Sequence, residues 1–370
     1  MNSICLITNI GPHYRYPIFN SIDNEFNCDF YLGDKTSTPI KTFDYRLLKG
    51  FKGTVHNLFF HHFYWQKGTV RLIFKPYKFY ILDGEPYCLS SWMILILAKL
   101  RGKITISWTH GWYGREGKVK RIIKKVFYSL FSELMVYSEY SIQLMKQEGF
   151  PANRLHCIAN SLDSDKDLTI RTKLHRTGIY HDHFHNSHPT LIYCGRIQKN
   201  KKPHLIIDSL RQLKAKGICL NLVFVGKDID NIKLMEYAVQ SGVQAQVWMY
   251  GPCYDDNKLG ELFYNAAVCV SPGNVGLTAI HALSFGCPVI THDNFPYQMP
   301  EFEAIKPGIT GDFFKEDDVF DLSRVILDWC NKSETERIII RDAAYQEIDR
   351  KWNIHYQIAT IKKILNAYQY

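Results

Sequence analysis

The sequence predicts an α/β protein made of two doubly wound domains, each built on a parallel β-sheet. The chain has 370 residues, which at roughly 150 residues per domain suggests two domains. Short β-branched and aromatic runs alternate with longer helical patterns, as in strands joined by crossover helices. The chain is 46% apolar and 14% aromatic, a composition that excludes a disordered protein.

The strand-like runs fall into two series, one in each half of the chain. The first series is Ile4–Thr8, Cys28–Leu32, Phe79–Leu82, Ile104–Ser107 and Leu134–Tyr137, and the second is Thr190–Cys194, Leu220–Val225, Gln246–Tyr250, Ala267–Ser271 and Pro288–Thr291. The two series predict an N-terminal domain at 1–165 and a C-terminal domain at 189–345. Between them, 166–188 lacks hydrophobic periodicity and predicts an irregular linker. The last segment, 346–370, predicts a helix with an apolar face.

Charge and cysteine usage narrow the class of protein. The formal net charge of +9 favours an anionic partner: a phosphorylated metabolite, lipid headgroups or nucleic acid. The 10 cysteines are scattered without a C-x-x-C pair, which predicts buried thiols in a reducing compartment. The N-terminus lacks a signal-peptide layout, and the longest apolar run, Trp92–Ala98, is far shorter than the ~20 residues of a membrane span. We therefore expect a cytoplasmic protein, with peripheral attachment to the inner face of the cytoplasmic membrane as an open alternative.

A glycine and two cations follow the first strand of the second half. Gly195 ends the strand, Arg196 comes next, and Lys201 lies five positions further on, just before a helical pattern. This places positive charge at the carboxyl edge of the sheet, where α/β proteins bind ligands. The two cations could clamp a diphosphate, although such a basic loop can also be merely solvated.

A second segment joins a buried strand to a helix through Pro272, Gly273 and Asn274. The helix that follows begins near Gly276, and its first amides carry no obvious side-chain cap. Helix N-termini bind phosphate through free N–H groups and the positive end of the helix dipole. An ordinary crossover connection is the structural alternative.

Together these segments resemble the donor half of the retaining GT-B glycosyltransferases, specifically the large family four that builds bacterial polysaccharides. The resemblance covers most of the second domain. Its matching residues are Gly195, Arg196, Lys201, Gly276, Leu277, the helix exit Ser284–Ile290, the hinge-like Asn160 and Asp163, Pro300 with Glu301, and Gly308 to Gly311.

The resemblance implies two Rossmann-like domains facing a cleft, with the C-terminal helix packing back on the N-terminal domain. It implies transfer of a hexosyl or N-acetylhexosaminyl group from a nucleotide-diphosphate sugar, of UDP or GDP type, to a saccharide acceptor that can be lipid-linked. Anomeric configuration would be retained, in the synthesis of a cell-surface polysaccharide or glycoconjugate. Arg196, Lys201 and the helix amides would stabilise the leaving diphosphate, so neither a metal nor a further cofactor is expected. The implied donor-binding residues are Gly195, Asn274, Gly276, Leu277, Thr278, His281 and Glu301.

The sequence departs from the family pattern at two positions. The family usually has two glutamates eight positions apart around this helix, and the corresponding residues here are Gly273 and His281. His281 can still hydrogen-bond a ribose hydroxyl, whereas Gly273 offers only backbone, so that either Asn274 or Thr278 reaches the sugar or the donor sits differently. A catalytically degenerate nucleotide-sugar-binding or assembly protein of the same fold is therefore the alternative function.

Candidate residues of the first half follow its strands at the same edge. His110, after Ile104–Ser107, resembles the family's histidine that faces the donor sugar, and we assign it with Arg196 and Lys201 to catalysis. The loop after the first strand contributes Gly11, His13 and Arg15 to a predicted acceptor side. Glu85, in a turn after a later strand, is a further candidate acceptor contact.

Two other features suggest partners. The segment Lys118–Phe131 has the pattern of a basic amphipathic helix, in which we expect the apolar stripe to pack on the sheet while the cations are solvated or meet an anionic membrane. A histidine-rich stretch invites a metal site, but it has no cysteine or carboxylate frame, so we interpret it as a solvated loop. Its members are His175, His181, His183, His185 and His188. No nucleic-acid-binding module is recognisable in the sequence, so we do not expect a nucleic acid as a partner.

Overall fold

The computed structural model describes residues 3–37 and 40–368, and the chain divides into two compact units. Unit 1 comprises Met1–Asp163 together with Asn353–Tyr370, and unit 2 comprises Ser164–Trp352. Each unit has its own parallel sheet, so the predicted fold class is confirmed. No helix among the described residues has both the length and the hydropathy that a membrane crossing requires.

Unit 1 contains a seven-stranded parallel sheet and a separate two-stranded hairpin. Its strands are β1 (Ile4–Thr8), β2 (Asp29–Gly33), β3 (Phe51–Val55), β4 (Asn57–Phe60), β5 (Phe63–Gln66), β6 (Phe79–Asp83), β7 (Ile104–Thr109), β8 (Glu133–Val136) and β9 (Leu155–Cys157). The sheet order is β3-β2-β1-β6-β7-β8-β9, and β4 pairs with β5 in the hairpin. All five residues of β1 are buried, as expected for a central parallel strand that is covered on both faces.

In the described part of unit 1 the α-helices are α1 (Tyr16–Phe26), α2 (Leu89–Leu100), α3 (Lys118–Ser129), α4 (Glu139–Gln147) and α13 (Ile354–Asn366). Helix α13 packs against α1, and its Ile354, Ile361 and Ile364 are part of one hydrophobic cluster with Ile18 and Phe19. The C-terminal helix is thus part of the unit 1 core.

Unit 2 contains a six-stranded parallel sheet of order β12-β11-β10-β13-β14-β15. Its strands are β10 (Thr190–Cys194), β11 (Asn221–Val225), β12 (Val247–Gly251), β13 (Val268–Ser271), β14 (Val289–His292) and β15 (Gly311–Phe314). Its helices are α5 (Ser164–Arg171), α6 (Ile179–Phe184), α7 (His204–Ala215), α8 (Leu234–Gln240), α9 (Asp256–Asn265), α10 (Leu277–Ser284), α11 (Val319–Cys330) and α12 (Glu334–Lys351).

The strand order reverses once in each sheet, and these reversals position the candidate sites. In unit 1 the chain leaves β1 toward β2 in one direction and continues from β6 to β7 in the other. In unit 2 the same reversal separates β10 from β13. Ligands of open α/β sheets bind outside the carboxyl ends of the strands at such switch points.

Two predicted boundaries differ from the structure. The segment 166–188, predicted to be irregular, contains most of α5 and all of α6, so that prediction is wrong. The many histidines and aspartates of this segment interrupt its hydrophobic periodicity, so the two short helices are not recognisable in the sequence. Their apolar residues, such as Ile170 and Tyr180, are nevertheless buried. The predicted boundary between 345 and 346 falls inside α12, which begins in a capping box at Ser333 and continues to Lys351.

Helix α3 is oriented differently from the prediction. Its buried residues are Lys124, Phe127 and Tyr128, while the predicted core-facing residues Val119, Ile122, Ile123 and Val126 are exposed. Lys124 is held inside by the carbonyl oxygen of Gly111 and by Glu116, each accepting at 2.6 Å. This buried ion pair fixes the rotation of the helix and turns most of the apolar stripe toward solvent.

Candidate functional site

In unit 2, the loops after β10 and β13 meet through Lys201. Lys201 ends a short 3-10 turn, Lys199–Lys201, and its ammonium donates to both the backbone oxygen and the Oδ1 of Asn274, each at 2.7 Å. The backbone N–H of Gly273 donates to the carbonyl oxygen of Lys201 at 2.9 Å. The two loops that the sequence singled out are therefore joined at the switch point of the sheet.

Gly273 lies where a side chain has no room. A Cβ atom placed on it would lie 2.6 Å from the carbonyl oxygen of Asn200 and 2.6 Å from the Cα of Lys201. Both obstacles are backbone atoms, which cannot rotate away as a flexible side chain does. The glycine thus permits the close approach of the two loops, and a glutamate at this position would require a different loop arrangement.

Sequence reasoning missed the two side chains that hold the β13 loop. Gln298 accepts from the backbone N–H of Val275 at 2.8 Å and donates to Thr291 Oγ1 at 2.9 Å. Thr291 in turn donates to the carbonyl oxygens of Ser271 and Gly273. No local motif marks these residues, because their partners lie 7 to 23 positions away along the chain.

Helix α10 begins beside these loops without a side-chain cap. Gly276 is its N-cap residue and makes no side-chain cap hydrogen bond, so the positive end of the helix dipole has no side-chain anion in the first turn. Thr278 donates from Oγ1 to the carbonyl oxygen of Cys194 at 3.1 Å, which ties the helix to the end of β10. The first turn of α10, Leu277 included, therefore lies next to Gly195.

The electrostatics of this region are dominated by cations. Burial and, to a smaller extent, the positive charge of Arg196 lower the pKa of Lys201 to about 8, and Glu301 opposes the shift. Arg196 itself is exposed, whereas Glu301 is 3% exposed. The structure thus brings Arg196, Lys201, Asn274 and Glu301 into one region at the start of α10, which suits an anionic group.

His281 lies one turn further along α10, in a different environment. Its ring packs between those of Phe263 and Phe285, and its Nε2 is 4.0 Å from Asp256 Oδ1. Burial lowers the pKa of His281, with Asp256 opposing the shift. Its contacts in the structure are therefore with α9, and a role toward a ribose rests on the sequence resemblance alone.

In unit 1, the end of β1 is tied to the end of β6 by Asp83. This partly buried carboxylate accepts from Thr8 Oγ1 at 2.8 and 2.9 Å and from the backbone N–H of Asn9. Burial raises its pKa, while these hydrogen bonds and the charge of Arg15 oppose the shift. Sequence reasoning missed Asp83, for which the position at the end of a central strand was the available signal.

A pocket of about 240 Å³ surrounds this carboxylate, and its lining includes Arg15, Glu85 and His110. Arg15 lies over the ring of Trp108, with its guanidinium carbon 5.0 Å from the ring centroid. Burial raises the pKa of Glu85, and the neighbouring Asp83 raises it further. Three of the five unit 1 candidates therefore lie together in one cavity at the switch point.

His110 is held as a neutral imidazole. Burial, together with the charges of Arg15 and Lys124, lowers its pKa to about 4. Its ring packs edge-on against Tyr137, with the two centroids 4.9 Å apart. A neutral imidazole can donate one hydrogen bond and accept another, as needed to bind sugar hydroxyls.

The candidates Gly11 and His13 are placed differently from Arg15. Gly11 donates its backbone N–H to the hydroxyl of Tyr45 at 3.0 Å, and its Cα faces that ring. His13 is exposed, with Nδ1 3.3 Å from the carbonyl oxygen of Lys41. Neither residue is among those that line the pocket, so their contribution in this structure is to the shape of the loop.

The histidine-rich stretch makes aromatic contacts. His183 stacks on Trp248 with a centroid distance of 3.9 Å and an interplanar angle of 14°. Across residues 3–37 and 40–368, no three His, Cys, Asp or Glu side chains are grouped closely enough to bind a metal ion. All 10 cysteines are free thiols.

Comparison with known proteins finds a family model that resembles part of unit 2, and solved structures that share the fold of the chain. Residues 182–346 match the family model described as glycosyl transferases group 1. No curated protein sequence matches the chain significantly.

Solved structures match along nearly the whole chain. HepE from Anabaena, in complex with UDP, has a TM-score of 0.73 at 14% identity, covering 98% of this chain and 99% of that one. The lipopolysaccharide outer core galactosyltransferase WaaB, in its apo form, has a TM-score of 0.69 at 16% identity over 98% and 99% of the two chains. Sucrose-phosphate synthase from Thermosynechococcus elongatus has a TM-score of 0.65 at 14% identity over 98% and 99%. The chain therefore has the fold of the GT-B glycosyltransferases, and its second unit matches their group 1 family over residues 182–346.

Proposed function

We propose that the protein transfers a sugar from a nucleotide-diphosphate donor to a hydroxyl group of a saccharide acceptor, which can be lipid-linked, with retention of anomeric configuration. The observation that carries this proposal is the cationic switch point of unit 2, where Lys201 and Arg196 lie beside the uncapped start of α10. The family match of residues 182–346 supports it. HepE, which shares the fold, has been solved with UDP and with UDP-glucose.

In this mechanism the donor diphosphate binds at the start of α10. Lys201, Arg196 and the amides of the first helical turn stabilise the charge that grows on the diphosphate as its bond to the anomeric carbon breaks. Donors preorganised for a developing charge usually supply the largest part of catalysis. Lys201 is already fixed by Asn274, so it pays little orientational entropy when the donor arrives. Two cations and a helix dipole at this position neutralise the charge of the diphosphate, as a bound metal ion does in other glycosyltransferases.

Unit 1 supplies the polar groups for sugar hydroxyls. The neutral His110 contacts the donor sugar, while Glu85 and Arg15, in the same pocket, contact the acceptor. The remaining donor contacts come from Gly195, Asn274, Thr278 and Glu301. The proton of the acceptor hydroxyl passes to the leaving phosphate oxygen, so no side-chain base is assigned.

A second candidate function is nucleotide-sugar binding without transfer. It is favoured by Gly273, whose position leaves no space for a carboxylate next to Lys201, and by His281, which is packed against α9. A protein of this kind would bind the donor and serve as a sensor or assembly partner.

A donor and acceptor panel separates the two functions. The purified protein is incubated with UDP- and GDP-sugars and with saccharide or native lipid-extract acceptors, and products are identified by mass spectrometry and by the NMR coupling of the new anomeric proton. We expect a product with the donor's anomeric configuration. Nucleotide binding without turnover across the panel would support the binding function, and the failure of every nucleotide diphosphate to bind would overturn both.

A further inference from the structure

Unit 2 has a cavity at the end of its sheet opposite to the switch point. The cavity has a volume of about 290 Å³, and its lining includes Thr190, Ala267 and Pro288, which lie at the amino ends of β10, β13 and β14. About 16 Å of strand separates Thr190 from Gly195 at the other end of β10. The cavity is therefore distinct from the region around Lys201, and we call it the amino-edge cavity.

The lining of the amino-edge cavity carries positive charge. Its basic residues are Arg176, Arg337, Arg341, His181 and His188. No aspartate or glutamate is among its described lining residues. Arg176 pairs with Glu334 at 2.7 Å, and both of these side chains are exposed. Within the described part of the chain, Arg337 and Arg341 bond to carbonyl oxygens and form no ion pair. Two guanidinium charges therefore face this cavity without a carboxylate to balance them.

Arg337 is held by backbone carbonyl groups at the end of α11. It donates to the carbonyl oxygen of Cys330 at 3.0 Å and to that of Ala267 at 3.3 Å. Cations near the carboxyl end of a helix interact favourably with the helix dipole, so Arg337 also caps α11. Because its hydrogen bonds go to carbonyl oxygens, it supplies the cavity mainly with charge.

Arg341 differs from Arg337, because part of its guanidinium lacks a partner. Its aliphatic stem packs on Gly286, where an added Cβ atom would lie 2.3 Å from the Cγ of Arg341. The guanidinium carbon lies 3.8 Å from the centroid of the Tyr264 ring, and the guanidinium donates from Nη2 to the carbonyl oxygen of Tyr264 at 3.2 Å. The side chain is thus fixed in place, while its buried Nε has no hydrogen-bond partner among the described residues.

Thr190 provides a second buried donor without a partner. The residue is 3% exposed, and its Oγ1 makes no hydrogen bond within the described part of the chain. Buried polar groups of native proteins nearly always have a partner, so an exception indicates a missing water, ion or ligand. A guanidinium N–H can only donate, and a hydroxyl group can also donate. Acceptor atoms inside the cavity that Thr190 and Arg341 share would satisfy both groups.

We propose that the amino-edge cavity is a second anion site of unit 2, which binds a phosphate group, either as the free ion or as the monoester of a small metabolite. The Nε–H of Arg341 and the hydroxyl of Thr190 donate to phosphate oxygens, and the charge of Arg337 stabilises the anion. Arginine is suited to this task, because its planar fork matches phosphate and remains charged.

The size and charge of the cavity narrow the occupant. About 290 Å³ is at the lower end of the range for ligand pockets, which fits a phosphate ion or a small monoester better than a nucleotide-diphosphate sugar. Ordered water would satisfy the same donors, but it would leave the charges of Arg337 and Arg341 unbalanced. An anion meets both requirements.

Isothermal titration calorimetry with the full chain tests the site without any sugar transfer. The probes are inorganic phosphate and glucose 6-phosphate, with glucose as the uncharged reference, all at one ionic strength. Arg341→Met removes the guanidinium but keeps an unbranched side chain over Gly286, and Thr190→Val removes the hydroxyl group at nearly constant volume. Arg211→Met, on α7 where the side chain is 62% exposed, is the matched control for the loss of one positive charge. Lys201→Ala removes the central cation of the switch point.

We expect the wild type, Arg211→Met and Lys201→Ala to bind at least one phosphate probe with affinities within about twofold of each other, and none of them to bind glucose. Arg341→Met should bind about tenfold more weakly or worse, as the loss of a charged hydrogen bond does, and Thr190→Val about threefold more weakly. The melting temperature of the free Thr190→Val protein should not fall, because the hydroxyl group that it lacks has no partner. The probe that binds more tightly distinguishes a free ion from an ester.

Three results would overturn the proposal. The first is a wild type that binds neither phosphate probe, which would leave water as the occupant. The second is binding that Lys201→Ala abolishes, because the phosphate would then lie at the switch point. The third is binding that both Arg341→Met and Thr190→Val leave unchanged. Since none of these measurements uses a sugar donor, the anion site can fail while the transfer function stands, and the reverse.

Discussion

The two switch points share one topology but carry opposite charge. In unit 2 the loops after β10 and β13 bring Lys201 and Arg196 to the start of α10. In unit 1 the ends of β1 and β6 bring Asp83 and Glu85 into a pocket with the neutral His110. The common fold therefore provides a position, and the side chains provide the chemistry. A cationic position suits a diphosphate, whereas carboxylates and a neutral imidazole suit the hydroxyl groups of sugars.

The largest expected effect comes from removing the central cation of unit 2. Lys201→Ala should lower turnover by about 100-fold or more, as the loss of a preorganised transition-state donor does. Steady-state kinetics with the best donor measure this effect. Lys199→Ala, two positions away in the same 3-10 turn, is the matched control and should remain within about twofold of wild type. Equal activity in the two variants would remove Lys201 from the mechanism.

Gly273→Ala tests whether the close approach of the two unit 2 loops matters. The added methyl group would collide with the backbone at Asn200 and Lys201, so the loop must shift and carry the lysine with it. We expect at least tenfold lower turnover, since a small misplacement of a catalytic group is costly. Gly53→Ala is the control, because the space around that position is open.

Gly273→Glu introduces the residue that the sequence resemblance implies at this position, and it should not raise activity. Its expected result is a loss at least as large as that of the alanine variant. A gain would show that the loop can open to accept a carboxylate, and it would contradict the packing argument.

The charge of Lys201 should make nucleotide binding depend on pH. Its pKa is lowered to about 8, so the free protein loses this positive charge as the pH rises through 8. Because a bound diphosphate stabilises the charged form, affinity is full below pH 8 and falls above it, by up to about tenfold between pH 7 and 9. Calorimetry with UDP measures the effect. Lys201→Arg keeps its charge throughout this range and should show a flat profile, as the wild type would if the lysine were uninvolved.

The smallest effect is expected in unit 1. His110→Ala should lower turnover about three- to tenfold, the consequence of losing a neutral hydrogen bond, and should leave UDP affinity unchanged. His110→Gln retains a donor and an acceptor and should recover part of the loss. Because the pKa of His110 is lowered to about 4, its contribution should be constant from pH 6 to 9. If His110→Ala also lowered the affinity for UDP, the assignment of diphosphate binding to unit 2 and of sugar-hydroxyl contacts to unit 1 would be wrong.

The sequence predicted the central strands well but missed three of the four edge strands, β3, β9 and β15, for a physical reason. Strands β1 and β10 were placed to the residue, because a strand covered on both faces is a continuous apolar run. Strand β3 was missed because it lies at a sheet edge and contains Lys52, Gly53 and Thr54. Strand β9, also at an edge, has only three residues.

In the candidate site, too, the sequence revealed some residues and not others. Local patterns marked Gly195, Lys201 and Gly276, because strand ends and helix starts are visible in a short stretch of sequence. They did not mark Gln298 or Asp83, whose roles depend on partners brought together by the fold. The rotation of α3 about its axis could not be predicted from the sequence either, because periodicity reveals an apolar stripe but not which side of the helix faces the core. The pair of Lys124 with Glu116 decides that question.

The end of the chain belongs to the core of its beginning. Ile354, Ile361, Ile364 and Leu365 complete a buried cluster that otherwise consists of residues before 160. During synthesis, the core of unit 1 therefore stays incomplete until all of unit 2 and then α13 have emerged from the ribosome. A nascent or truncated polypeptide that stops after α12 exposes that unfinished interior, and it should depend on chaperones in a way that the finished protein does not.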